Sequence, residues 1–350
     1  MAASEAGDNG AEWLRGSGGE ADIVLSSRIR LARNVADFPF AARMKAEQQA
    51  ALAKFLEQGI IGAGLEADLR YVDIDQANEL EKQYLQERQL ISRELAEGRG
   101  KRGVAVGKTE RISVMVNEED HVRLQVIHSG FELDECWEQA NRSDNLLEER
   151  IRYAFSPKLG YLTACPTNVG TGMRASVMLH LPGLVMTKQM KKVFAAMAKL
   201  NLAVRGMYGE GTEASSDLYQ LSNQVSLGKS EEEIIQSLKS VIPQLIKFER
   251  NAREYLLEHG RTAVEDRVWR AYGMLRSART ISSQEAMVYL SQLRLGVNLG
   301  LVKDVHINSL NELFILTQPA HLQKLEGKKL EEEKRDLARA TLIRNRLGEV

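Results

Sequence analysis

The chain has 350 residues, 43% apolar and 27% charged, which is the composition of a globular protein long enough for a large core and two domains. Its net charge of −1 excludes a generally basic surface of the kind that grips nucleic acid, so any anion site must be a local cluster. Its two cysteines, Cys136 and Cys165, lie outside any CxxC pair and fit a reducing cytoplasm, and no run approaches the ~18 apolar residues of a membrane span or reads as a targeting segment.

Residues 1–20, "MAASEAGDNGAEWLRGSGGE", are rich in glycine, alanine and acids and predict a disordered lead-in with Trp13 docking locally. From 21 to 229, β-like runs at 22–31, 68–74, 103–107, 111–118, 121–128, 161–164, 173–181, 201–207 and 217–226 alternate with helical patterns at 45–58, 76–96, 132–151 and 187–199. The Gly-rich basic stretch "AEGRGKRG" predicts a mobile loop. From 230 onward helical spacing takes over, at 230–258, 261–277, 283–294, 304–317 and 331–347. "GKSEEEII" opens that region with Ser230 as N-cap and Glu233 completing a capping box, and Pro243 predicts a kink. Short links between strands favour a mainly antiparallel sheet with helices on one face, so the expected class is α+β with an all-helical C-terminal domain. The expected units are a lead-in 1–20, a catalytic domain 21–229 and a helical domain 230–350.

Chemistry concentrates in four places. In "RISVMVNEEDHVRLQV" the even positions Ile112, Val114, Val116, Val122, Leu124 and Val126 are apolar and the odd ones mostly polar, which presents Glu119 and Arg123 on one face and puts Glu118 on the other. In "VLSSRIRLARN" Arg28 and Arg30 share a strand face, where two guanidinium forks repel unless an anion sits between them. "CPTNVGTGMRASVMLHLP" delivers Cys165 at a turn and Arg174 at the next strand, and "VRGMYGEGTE" flanks glycines with Arg205 and Glu210. Five strand arginines, two acids and a cysteine make a phosphate cradle with a cation-binding end, although no GxxxxGK[ST] loop and no HRD or DFG signature is present.

The motifs "SSRIR", "NEEDHVR", "CPTNVGTGMRASV", "VRGMYGE" and "LSNQVSLG" resemble those of the phosphagen kinases, which move a phosphoryl group between ATP and a guanidine; the match spans about 21–240. Small-guanidine members carry about a hundred helical residues before the first arginine motif, where this chain has about twenty-five, and here a C-terminal helical region ends in "RDLARA". Both features, with "YGEG", are similar to the protein-arginine kinase branch.

That resemblance implies a kinase using ATP and Mg2+ on arginine side chains of proteins, with no dedicated protein metal cage. ATP phosphates would meet Arg28, Arg30, Arg123, Arg174 and Arg205, and backbone from Ser26, Ser27, Ile29, Ala175, Ser176, Val177, Met178, Gly206, Met207, Tyr208 and Gly209 would complete the pocket. Glu119 and Glu210 would grip and align the substrate guanidinium, with Glu119 as base and Cys165 helping to hold it. Gln89 stands where many relatives have a nucleotide-contacting histidine, and its contact is left open. Arg335, Asp336 and Arg339 would form a phosphoarginine pocket. The resemblance further implies an activator protein, marking of substrates for a Clp protease, a homodimer or higher oligomer, a stress-response role and a cytoplasmic location, with no direct nucleic-acid or membrane contact. The competing readings are a free-arginine phosphagen kinase and a catalytically idle phosphoarginine adaptor.

Overall fold

The computed structural model describes residues 11–207 and 216–348. Eight strands build one sheet: β1 Val24–Arg33, β2 Arg70–Asp73, β3 Gly103–Val106, β4 Ile112–Val116, β5 Val122–Ser129, β8 Met173–His180, β9 Leu202–Gly206 and β10 Leu218–Asn223, while β6 Phe155–Ser156 and β7 Gly160–Tyr161 pair separately. The order is β2-β3-β4-β5-β1-β8-β10-β9 and every neighbouring pair is antiparallel, as the short links between β3, β4 and β5 require of those pairs. Ile112, Val114, Val116, Val122, Leu124 and Val126 are all buried in one core, so the period-two reading of this hairpin holds along both strands.

That core is covered by α1 Ala46–Gly62, α4 Leu133–Glu148, α6 Met190–Lys199 and the first half of α7 Glu231–Ser277. The capping box at α7 forms as expected: Ser230 Oγ accepts from the Glu233 amide at 3.2 Å, and the Glu233 carboxylate accepts from the Ser230 amide at 2.8 Å. The kink, however, lies at Gly260, where φ is −150° and ψ 29°; Pro243 sits on an exposed stretch of the helix without breaking it. Before Gly260 the helix packs on the sheet, and after it Val264, Val268 and Leu275 join a second core with α8 Ser283–Asn298, α9 Ile307–Leu316 and α11 Glu332–Gly348. The change of composition at 229/230 therefore marks where α7 starts, and the change of packing partner falls at Gly260.

Other departures have local causes. The single helix expected over 76–96 is two, α2 Glu79–Glu87 and α3 Arg93–Glu97, because α2 ends with Gln89 in the left-handed region (φ 62°) and Ser92 caps a new start, its Oγ accepting from the Leu95 amide at 3.0 Å. The expected 187–199 helix is likewise preceded by α5 Pro182–Met186, the strand at 161–164 shrinks to Gly160–Tyr161, and α10 Pro319–Leu325 has no counterpart in the sequence reading. The disorder expected for 1–20 does not extend over 11–20: Ala11, Trp13 and Leu14 are buried against Ile127 of the sheet and Ile315 of α9, while 1–10 lie outside the described residues. Nor are helices confined to one face. On the opposite side α2 and α3 cover Val104, Val106 and Met115, and the C-terminal helices cover Leu25, Met178 and Leu218, leaving a strip over β5, β1 and β8 between them. Among the described residues no helix is long and apolar enough to cross a membrane.

Candidate active site

Register decides what occupies that strip. Across β1 and β8, Arg28 stands opposite Ser176 and Arg30 opposite Arg174; across β1 and β5, Arg123 stands opposite Ala32. Directly opposed residues of an antiparallel pair share a face, so these guanidinium groups are gathered on one surface. Farther out, Gln220 opposes Met178 on one side and the exposed Arg205 on the other.

The arginines have few counter-charges among the described residues. Arg28 is buried among neutral acceptors, donating to Gln220 Oε1 at 2.5 Å and to Ser176 Oγ and Gln89 Oε1 at 3.4 Å each. Burial, then Arg174 and Arg123, bring its pKa down to about 10. Arg30 is depressed well below its ordinary value by burial and then by Arg28, Arg123 and Arg174, and its buried Nε has no partner among the described residues. Arg174 is lowered by burial first and Arg205 next, and its Nε reaches the Asn223 carbonyl at 3.4 Å. Among the described residues, Arg123 alone of the four meets carboxylates, Glu118 at 2.7 Å and Glu119 at 3.5 Å. Like charges held together on rigid strands with mostly neutral partners form a receptor for a polyanion.

The hairpin turn 117–121 explains the carboxylates. Asn117 adopts φ 57° and is fixed by its Nδ2, which donates to the carbonyls of Gln49 at 3.0 Å and Lys101 at 2.8 Å. Period two therefore ends at Val116. Glu118, expected on the opposite face, instead faces the arginines: its side chain is 1% exposed and bonds both Arg123 and the Ser92 hydroxyl. Glu119 is 45% exposed at the mouth, and its pKa is raised by burial and then by Asp120, against the pull of Arg123. Asp120 is a buried brace: its Oδ1 accepts from Asn34 Nδ2 at 2.6 Å and from the Ala164 amide at 2.7 Å. His121 is held neutral, its pKa lowered by burial, with Nδ1 accepting from the Val35 amide and Nε2 donating to the Pro39 carbonyl.

The Asp120–Ala164 bond ties the turn carrying Glu119 to the loop carrying Cys165, which is partly exposed and 3.1 Å from Thr167 Oγ1. Arg30, Arg123, Arg174, Asn168 and Gly172 line one cleft, and beside it Ser26, Arg28, Ser176, Met178 and Met207 line another with Trp13 and Gln89. Ile29, Ala175 and Val177 do not reach either cleft; they face the helical core, and their main chains are paired within the sheet. Ser27 also turns away, donating to the Gly130 carbonyl at 2.9 Å. Gly206 ends β9, and Tyr208, Gly209 and Glu210 lie outside the described residues.

The family model for the ATP:guanido phosphotransferase C-terminal catalytic domain matches residues 54–252, and that for the protein-arginine kinase McsB C-terminal domain matches 261–350, on either side of Gly260. The chain is 48% identical over 340 residues to a protein-arginine kinase of Halothermothrix orenii and 48% identical over 341 residues to one of Symbiobacterium thermophilum, each alignment covering 97% of both chains. The chain belongs to the protein-arginine kinase family of ATP:guanido phosphotransferases. Among solved structures, it resembles lombricine kinase with a TM-score of 0.60 and 27% identity, covering 72% of each chain. It is therefore a phosphotransferase.

The second expected site in this kinase is arranged differently from a two-arginine clamp. Arg339 is 1% exposed and spends its guanidinium on the carbonyls of Thr317 and Ile281, both at 2.8 Å, and on Asp336 at 2.5 Å. Burial lowers its pKa against the pull of Asp336. Arg335 donates to the Leu330 carbonyl at 3.0 Å and remains partly exposed. Arg339 is thus a brace that presents Asp336. Among the described residues no group of three or more His, Cys, Asp and Glu side chains is placed to hold a metal ion.

Sequence reasoning missed Glu118, Gln220, Asn223 and Trp13 at the site. Gln220 and Ser222 were legible as alternate positions of the last strand, and Asn223, which bonds the Ala175 amide through Oδ1 at 2.9 Å, sits inside the "LSNQ" motif. The docking of Trp13 was expected but not its place at the cleft, and nothing local announced the inward turn of Glu118.

Proposed function

We propose that this kinase transfers the γ-phosphoryl group of ATP to arginine side chains of proteins. The observation that carries the reading is the strip Arg28–Arg30–Arg174, which lacks carboxylate partners among the described residues and ends at Arg123, Glu118 and Glu119 beside the Cys165 loop. The apolar end near Met178, Met207 and Trp13 suits a nucleoside, and the arginines suit its phosphates. The orphaned Nε of Arg30 fits a phosphate oxygen. Magnesium would arrive on the nucleotide and supply charge neutralisation to the phosphates.

A substrate guanidinium stays protonated at neutral pH, its pKa lying above ~12. Glu119 accepts a proton from the attacking nitrogen as the N–P bond forms and the bond to the departing ADP oxygen breaks; its raised pKa suits it to hold that proton. Glu210 completes the carboxylate pair that aligns the guanidinium, Cys165 contributes at its edge, and Arg28, Arg30, Arg123, Arg174 and Arg205 stabilise the charge on the transferring oxygens. Protein arginine rather than the free amino acid is favoured by the C-terminal helical region and by the near full-length relatives. We place Asp336 as acceptor for the guanidine of a phosphoarginine and Arg335 as partner for its phosphate, with marking for a Clp protease, an activator protein, self-association and stress-response regulation in the cytoplasm as the setting.

The test is intact-protein mass spectrometry after incubation with Mg-ATP and an unfolded, arginine-rich protein. Acid-labile phosphoryl adducts on arginine, absent with Glu119→Ala, support the reading. Phosphorylation of free arginine alone moves the chain to the metabolic branch, and binding of phosphoarginine without transfer makes it an adaptor.

A further inference from the structure

The C-terminal helical domain touches the catalytic sheet's nucleotide side at a point the chemistry above does not use. Glu87, the last residue of α2, is buried, and its carboxylate accepts from the amide of Ala320 at 2.9 Å, from the amide of His321 at 3.0 Å and from His321 Nδ1 at 2.8 Å. It caps α10 of the other domain and so fixes the end of its own helix. The contact is reinforced by Tyr84, whose ring lies 4.4 Å from that of His321, and by Lys324, 3.8 Å from the Tyr84 ring and 2.5 Å from Glu81.

Two residues beyond Glu87 the chain reaches the arginine strip. The Gln89 amide donates to the Gln86 carbonyl at 3.0 Å and the Leu90 amide to the Leu85 carbonyl at 3.0 Å, the double closure of a helix end that ordinarily carries glycine at the left-handed position. Here that position is Gln89, at φ 62°. A glutamine is held in this conformation against its steric preference, and it spends both its polar ends on the site: its carbonyl accepts from Gln125 Nε2 at 2.7 Å, and its Oε1 accepts from Arg28 at 3.4 Å.

We propose that Glu87 is a positioning residue for nucleotide binding: by clamping the end of α2 to α10 it holds Gln89 in its left-handed turn and thereby sets Arg28, which makes the C-terminal domain part of the nucleotide pocket. The proposal rests on the reading of the arginine strip as the ATP site. On the far side of the clamp, Arg339 bonds the Thr317 carbonyl two residues before α10, so the "RDLARA" segment abuts the same helix.

The experiment is steady-state kinetics of the full-length enzyme with Mg-ATP varied against a saturating unfolded, arginine-rich protein, and the reverse. Glu87→Gln is expected to raise KM for ATP about fivefold, the effect of losing one modest hydrogen bond's worth of positioning, with kcat and the protein KM changed by less than about twofold. Gln89→Ala should give the same split, and the double variant should be no worse than either single one. If Glu87→Gln does not fold, Glu87→Asp, which keeps the charge but falls short of α10, is expected to show the same rise. An unchanged KM for ATP in a folded variant, a parallel loss in kcat and both KM values, or effects of Glu87 and Gln89 that multiply would overturn the proposal. A wild-type rate that does not saturate with ATP would instead overturn the assignment of the strip.

Discussion

Glu118 and Glu119 are neighbours in sequence with the same side chain, and the structure separates their consequences. Glu118 is fully enclosed, 2.7 Å from Arg123 and bonded to Ser92, and among the described residues it is the buried negative charge set against a group of arginines. Replacing it by glutamine keeps the shape and leaves Arg123 an uncompensated charge beside Arg28, Arg30 and Arg174, which costs ~3 kcal/mol. Glu119 is nearly half exposed and makes one 3.5 Å contact, so its ion pair contributes less than ~1 kcal/mol. Its carboxyl pKa is raised on folding, so the ionised form is less favourable folded than unfolded, and that cost grows as pH rises through the interval between the two pKa values. The neutral amide introduced by Glu119→Gln escapes it. Urea denaturation at neutral pH should therefore show a clearly lowered midpoint for Glu118→Gln and a midpoint near wild type for Glu119→Gln, while kcat falls by about 10²-fold or more in the latter. Equal stabilities would refute the account of Glu118 as the internal counter-charge, and a Glu119→Gln enzyme with unchanged kcat would place the base elsewhere.

The pH profile of kcat/KM should have an acid limb displaced upward from the ordinary carboxylate value of 4.5, in the direction of the Glu119 shift, and the limb should disappear in Glu119→Gln. Arg30→Met, which removes a charge with a buried, unpartnered Nε from among three others, should raise the melting temperature, a gain of about 1–4 kcal/mol, while abolishing nucleotide binding measured by calorimetry; a lowered melting temperature contradicts the repulsion argument. Asp336→Ala should eliminate phosphoarginine binding in calorimetry while free Mg-ATP still binds, and retained phosphoarginine affinity would remove Asp336 from that role.

The strands were legible because one face of each is continuously apolar: Ile29 and Leu31, Val114 and Leu124, Ala175 and Val177 all fall on the core side that alternation assigns to them. The same alternation placed Arg28, Arg30, Arg123 and Arg174 together without any knowledge of which strands pair. It failed where the chain leaves the strand. Glu118 was assigned to the wrong side because Asn117 takes a left-handed conformation that a periodic reading cannot register. The kink was assigned to Pro243 on its missing amide, yet an exposed proline can be accommodated in a long helix, and the backbone bends at Gly260, where no side chain restricts it. Pocket residues chosen along a contiguous strand, such as Ile29 and Val177, included the core-facing half by construction. Contacts of high sequence separation left no local mark: the bond between Glu87 and His321, or Trp13 lying on Ile127, follows only from the tertiary packing.

Why a protein would keep four arginines on one face of its central sheet follows from the sign of their shifts. Arg28 titrates at about 10 in the folded chain, below the ordinary guanidinium value, so below about pH 10 folding bears the full cost of holding it charged, and that cost is relieved only as pH rises from there towards the ordinary value; Arg30 is shifted in the same direction by burial and by its arginine neighbours. At neutral pH the strip is a standing destabilisation, carried by the large apolar core on the other face of the same strands. A polyphosphate reverses the sign: it supplies the negative charge the strip lacks, and at a concentration 100 times its Kd it adds about 2.7 kcal/mol to the folded state. Placing the charges on β1, β5 and β8, paired on both sides, keeps them from relaxing apart. The repulsion is thereby preserved until an anion removes it, and the carboxylate held deep in the cluster, Glu118, limits the cost without neutralising the field a polyphosphate would meet.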